Sequence, residues 1–120
     1  MRLAIIGSRS FSDYSLLVET LKTHYFNESG WTFDEIVSGG ARGCDSLAAE
    51  FARQNCVKLT EFLPDWNLFG KSAGFRRNKL IIDHADEVLA FSVNSSKGTA
   101  HSISLARQQN KPVRVIELSL

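Results

Sequence analysis

Glycine, hydroxyl, amide and guanidinium groups are concentrated in a few short segments of this chain. They are Gly7-Ser8-Arg9-Ser10, the run Ser38-Gly39-Gly40-Ala41-Arg42-Gly43-Cys44-Asp45, the stretch from Asp65 and Trp66 through Lys71 to Gly74, the triplet Arg76-Arg77-Asn78, and Asn94 to Lys97-Gly98-Thr99. The chemistry such residues serve is the holding of an anion. Glycine has no Cβ and reaches positive φ, so backbone N–H groups can turn toward a phosphate. A helix N-terminus behind such a loop adds unpaired donors and partial positive charge. Arg9, Arg42, Lys71, Arg76, Arg77 and Lys97 would supply charged donors, the arginines in bidentate geometry. The competing reading of each glycine is a tight turn that binds nothing, and for a lone Gly-Gly pair it would win.

Single residues carry similar pairs of readings. Asp45 falls at a helix start, where capping and the helix dipole favour it, or it accepts hydrogen bonds from a ribose or base. Trp66 stacks on a base or plugs the core, and the plug is the favoured reading. His24 and His84 read as structural, and His101 as a histidine facing solvent. Of the two adjacent arginines, Arg77 is expected to turn toward the loops, with Phe75 before and Leu80-Ile81-Ile82 after. A Walker-type lysine loop, a Gly-x-Ser-x-Gly elbow, a Gly-x-Gly-x-x-Gly fingerprint and a metal-ligand spacing are all missing from the sequence. Neither a cofactor nor a metal is expected.

The elements that must position these groups follow from the apolar pattern. Leu3 to Ile6, Phe33 to Ser38, Val57 to Leu63, Val88 to Phe91 and Pro112 to Leu118 read as strands. Helical spacing recurs between them: Leu16, Leu17, Thr20, Leu21 and Tyr25 after an Asp13 N-cap, then Leu47, Ala48, Phe51 and Ala52, then Gly74 to His84, then Gly98 to Gln109. Gly30 is expected to break the first unit, and Pro64 to Gly74 to form a loop. Strands separated by helices imply right-handed crossovers, so the expected fold is α/β, a Rossmann-like three-layer sandwich around a mostly parallel five-stranded sheet. Near-continuous apolar strands fit a sheet covered on both faces. All four strand-exit loops then gather at one sheet edge, where such folds bind ligands.

Bulk properties narrow the classes. The 120 residues read as one domain, 1–120. Hydrophobic residues make up 43% and charged residues 22%, as in an ordinary globular protein. The formal net charge of +1 offers no global field for long polyanions, so nucleic acid is not an expected partner. Cys44 and Cys56 form no disulfide framework, and the N-terminal apolar run is too short for a signal peptide. A soluble, cytoplasmic protein with no membrane association is expected.

In order along nearly the whole chain, Gly7-Ser8-Arg9, Ser38 to Asp45, Pro64-Asp65-Trp66, Gly70 to Gly74, Arg77-Asn78, Ala85-Asp86 and Lys97-Gly98-Thr99 resemble the SLOG superfamily, which joins Smf/DprA proteins to LOG-type phosphoribohydrolases. More narrowly they resemble the small YspA-like, YpsA-related branch of bacteria and phages. The resemblance implies a Rossmann-like fold with nucleotide-derived ligands at these loops. Among LOG-type enzymes, a catalytic arginine begins the helix before an Ala-Asp pair, and Arg77 falls on that position. Their Gly-Thr-x-x-Glu motif is matched by Gly98 and Thr99, but Ala100, His101, Ser102 and Ile103 follow with no glutamate. Cleaving an N-glycosidic bond calls for a carboxylate to stabilise charge on the ribose or to orient water.

The resulting expectation is a module that senses or sequesters a phosphate-bearing, nucleotide-derived small molecule. Gly7, Ser8, Ser38, Gly39, Gly40 and Gly43 would shape the cradle, Arg9, Arg42, Lys71, Arg77 and Lys97 would neutralise the ligand, and Gly98, Thr99 and Asn78 would contact it. Asp45 or Asp65 would read ribose or base, with Trp66 counted among the ligand-binding positions. A phosphoribohydrolase using Arg77 and Asp45 is the first alternative, and a binder of single-stranded nucleic acid the second. Because relatives with this fold often form dimers, self-association is also expected.

Overall fold

The computed structural model describes residues 1–119. Five strands form one sheet: β1 (Arg2–Gly7), β4 (Glu35–Ser38), β5 (Lys58–Glu61), β6 (Glu87–Val93) and β7 (Val113–Leu118), in the order β5-β4-β1-β6-β7. Every neighbouring pair is parallel, with Leu3 opposite Ile36 on one side and Ala4 opposite Val88 on the other. Where a mostly parallel sheet was expected, this one is wholly parallel. After β1 the chain builds outward through β4 and β5, then crosses back to add β6 and β7, so strand order reverses at β1.

Side-chain alternation along the strands divides the interior in two. Leu3, Ile5, Leu89 and Phe91 face the helices α1 (Tyr14–Tyr25) and α2 (Cys44–Gln54), packing with Leu17, Leu21, Ala48 and Phe51. Ala4, Ile6, Val88 and Ala90 face α4 (Ala73–His84) and α5 (Lys97–Gln108), packing with Ile81, Ile82, Ile103 and Ala106. The first layer is rich in aromatic rings, the second is aliphatic and small. Asp13 caps α1 by accepting from the Leu16 N–H at 3.0 Å, satisfying a donor the helix leaves free.

Several expected boundaries move. Instead of a break at Gly30, a short antiparallel hairpin forms from β2 (Phe26–Asn27) and β3 (Gly30–Trp31). It seats Trp31 edge-on to Phe51 at 5.1 Å, extending the aromatic layer. Phe33 joins that layer from a loop, so β4 starts only at Glu35. The third sheet strand shrinks to Lys58–Glu61, a short edge strand. The expected loop after Pro64 contains a one-turn helix, α3 (Trp66–Phe69), capped by Asp65, whose Oδ1 accepts from the Leu68 N–H at 3.0 Å. A 3₁₀ turn, Gly70–Ser72, leads from it into α4. No helix among the described residues is long and apolar enough to cross a membrane.

Candidate functional site

The loops leaving β1 and β6 flank the point where strand order reverses, and a cavity of about 560 Å³ opens between them. Gly7, Ser8, Arg9 and Ser10 line it from the β1 exit, and Ser96, Gly98 and Thr99 from the start of α5. Trp66 and Lys71 border it from the α3 region, Phe75, Arg77 and Asn78 from α4, and Ala41 and Asp45 from the β4–α2 loop. This volume suits a nucleotide-sized ligand.

Arg77 joins the two halves of the site. Its Nη1 donates to the Gly39 carbonyl at 2.7 Å and its Nε to Asn78 Oδ1 at 3.0 Å. Gly39 permits this approach, since a Cβ there would strike the guanidinium. Burial makes the charged guanidinium less favourable; Asp45 opposes that effect and the like charge of nearby Arg9 adds to it. Asp45 is buried, and burial raises its carboxyl above the ordinary aspartate value. The Ala41 N–H, donated at 3.1 Å, and the Arg77 charge pull the other way without cancelling it. The fully buried Ser38 hydroxyl forms no well-made hydrogen bond but weakly favours the same charged form.

Ser8 is a structural staple. Its Oγ accepts from the Val93 N–H at 2.9 Å and its own N–H donates to the Phe91 carbonyl at 3.1 Å, tying the β1 exit to β6. Gly43 sits at φ +77°, and any side chain there would collide with the backbone of Arg9, so the β1 exit loop lies directly on the start of α2. At the start of α5 no side chain caps the helix. Thr99 Oγ1 donates to Ser96 Oγ at 3.3 Å, leaving the first-turn N–H groups open beside the cavity, an arrangement that attracts anions.

Of the residues singled out from sequence, Gly7, Ser8, Arg9, Asp45, Trp66, Lys71, Arg77, Asn78, Gly98 and Thr99 line this cavity. Ser38, Gly39, Gly40 and Gly43 lie behind or beside its wall rather than on it. Arg42 and Lys97 are exposed and do not line it. A loop position before a helix does not fix the direction of a long side chain. Asp65 is outside too, serving as the α3 cap. Trp66 does not plug the core: it is 52% exposed on the cavity rim. His101 does not simply face solvent; its ring meets Phe75 edge-on at 4.6 Å, and its Nδ1 is buried without a partner. Sequence reasoning missed Phe75, Ser96 and Ser102 as lining residues. The i to i+3 spacing of Ser102 from Thr99 was the available signal, since it puts both on one helix face.

Among the described residues no group of three or more His, Cys, Asp or Glu could hold a metal ion. The fold defines a Rossmann-like α/β protein, with its cavity at the carboxyl edge of the sheet beside the central strand. The sequence profile of the YspA, cpYpsA-related SLOG family matches residues 1–69, and the chain belongs to that family. It is 34% identical over 118 residues to the gene 61 protein of Mycobacterium phage D29, an alignment covering 93% of each chain. Among solved structures it is similar to DNA processing protein A of Helicobacter pylori, with 27% identity and a TM-score of 0.70 over 96% of this chain. The chain spans 64% of that protein, which is described as binding single-stranded DNA. DNA processing protein A of Streptococcus pneumoniae shares the fold, at 19% identity and TM-score 0.53 over 94% of this chain and 58% of its own.

Proposed function

We propose that this protein binds a small, phosphate-bearing, nucleotide-derived ligand in the cavity beside β1 and does not turn it over. The observation carrying this reading is the imbalance of charge around the cavity. Arg9, Lys71 and Arg77 border it together with the uncapped start of α5, against the single carboxylate of Asp45. The phosphate would lie against Thr99, Gly98 and the guanidinium groups, where charge-assisted hydrogen bonds are strong. The base would lie toward the Trp66 and Phe75 rings, which offer stacking surface.

Hydrolysis is the less favoured reading because of Ser102. This residue occupies the place of the glutamate in the Gly-Thr-x-x-Glu pattern and lines the cavity with a hydroxyl. Asp45, the carboxylate that remains, is buried and engaged with Ala41 and Arg77, which leaves it poorly suited to follow charge developing on a ribose. Single-stranded DNA is the second reading, favoured by the likeness to the H. pylori protein.

Thermal unfolding with saturating nucleoside 5′-monophosphates tests the proposal. A ligand at a hundred times its Kd stabilises by about 2.7 kcal/mol, or roughly 10 °C for a chain of this size. Arg9→Ala, an exposed change, should remove most of that shift and leave the ligand-free midpoint unaltered. Equal shifts in both proteins, or none in either, would overturn the reading. Release of free base would favour the hydrolase, and salt-sensitive binding of oligo-dT the DNA reading.

A further inference from the structure

Four buried polar side chains line the cavity: Ser8, Asp45, Thr99 and Ser102. Three of them are engaged within the protein. Ser8 Oγ accepts from the Val93 N–H at 2.9 Å, Asp45 Oδ2 accepts from the Ala41 N–H at 3.1 Å, and Thr99 Oγ1 donates to Ser96 Oγ at 3.3 Å. Ser102 is the exception. It is only 3% exposed, it lines the cavity, and its hydroxyl has no hydrogen-bond partner among the described residues. A buried hydroxyl left unpaired costs free energy, and alanine at the same helical position would remove that cost and favour the helix. The residue type therefore suits a partner that enters the cavity.

Its position narrows what that partner is. Ser102 is the sixth residue of α5, beyond the four whose N–H groups a helix leaves open. It shares a face with Thr99 and lies about 4.5 Å deeper along the helix axis. A phosphate held at Gly98 and Thr99 by the open helix end would therefore place its sugar beside Ser102. There α5 offers a neutral hydroxyl, which both donates and accepts. A sugar hydroxyl matches those two capacities, and a second phosphate does not. Phe75 selects among the sugar hydroxyls. Its ring lines the cavity and meets His101, the neighbour of Ser102, edge-on at 4.6 Å. A base stacked on Phe75 brings C2′, the sugar carbon next to its own attachment, toward Ser102.

We infer that Ser102 receives the 2′-hydroxyl of the bound nucleotide and makes the cavity selective for ribonucleotides over 2′-deoxyribonucleotides. This inference rests on the ligand reading above and deepens it by naming the sugar. A site built to bond a ligand hydroxyl discriminates against the analogue lacking it, because the protein's own polar group is then left unpaired.

The experiment is titration calorimetry of the full chain and of Ser102→Ala. The probes are adenosine, guanosine, cytidine and uridine 5′-monophosphates and their 2′-deoxy counterparts. The wild-type protein should bind its preferred ribonucleotide roughly fivefold to tenfold more tightly than the deoxy counterpart, the worth of one neutral hydrogen bond. Ser102→Ala should bind both with the weaker affinity, and its unliganded thermal midpoint should be no lower than that of the wild type. Three results would overturn the inference and leave the ligand reading standing: equal wild-type affinity for the two sugars, a ribose preference that survives in Ser102→Ala, or equal weakening of both ligands by that substitution, which would put phosphate on Ser102. Failure of the wild-type protein to bind any of these nucleotides would overturn the ligand reading itself, and this inference with it.

Discussion

Substituting alanine at Gly39 probes the contact that organises the site. The added methyl would fall against Arg77 Nη1, 2.9 Å from its Cζ and 3.0 Å from Asp45 Oδ2. The guanidinium would therefore have to leave the Gly39 carbonyl, breaking a hydrogen bond from a charged donor that contributes about 1.5–3 kcal/mol. The backbone at Gly39 lies outside the left-handed region, so alanine also restricts the unfolded chain and returns about 0.4–1 kcal/mol. The net cost is then about 1–2 kcal/mol, equivalent to a fall in midpoint of roughly 4–8 °C. In an Arg77→Ala background the obstructing group is gone, and only a small rotation of Asp45 is required. There the same glycine substitution should cost less than about 0.5 kcal/mol, giving a coupling near 1 kcal/mol or more. Thermal or urea unfolding of the four proteins measures it. Additive effects, within about 0.5 kcal/mol, would refute the claim that Gly39 is a glycine in order to admit Arg77.

Two further outcomes are expected. Burial works against the charge on Glu35, but hydrogen bonds from His84 at 2.6 Å and Thr60 at 2.8 Å, with Lys58 beside them, outweigh it and hold the carboxyl below its ordinary value of 4.5. Stability from this group is therefore present above pH 4.5 and lost as pH falls through the lowered folded-state value. The difference in midpoint between wild type and Glu35→Gln should be largest near neutrality and should close in acid; a constant gap across pH would contradict this. Cys44 is buried and its thiol is pushed far up by burial, while Cys56 is exposed. A thiol reagent should label one cysteine quickly in the folded protein and two in denaturant, and rapid labelling of both in the folded state would show that the packing around the start of α2 opens.

The sheet was legible because its strands are short apolar runs separated by helical periodicities, and neither pattern depends on distant contacts. The β2–β3 hairpin was not, since two residues on each side carry no periodicity and Trp31 owes its place to Phe33 and Phe51, a tertiary cause. The one-turn helix α3 was hidden for a similar reason: Asp65 looked like a ligand-reading carboxylate, and its capping role depends on the helix being there. Within the site, loop positions could be read from strand ends, so Arg9, Lys71 and Thr99 came out together. Side-chain direction could not. Arg42 and Arg77 both follow sequence cues for anion binding, but Arg77 is drawn inward by the Gly39 carbonyl and Asp45, while Arg42 stays exposed outside the cavity lining. Trp66 was misjudged because a tryptophan in a loop usually finds the interior, and here α3 holds it at the rim.

The unequal packing on the two sides of the sheet has a consequence for dynamics. Arg77, Asn78, Gly98 and Thr99 ride on helices seated over alanine, valine and isoleucine, whereas the opposite side is locked by stacked rings. Less apolar mass resists transient opening beneath α4 and α5, so their amides should exchange with solvent sooner than those of α1 and α2. An anion bridging the β1 exit to both of these helices would act as a rivet across the weaker seam, and its occupancy would be felt as rigidity along their whole length, far from any atom it touches.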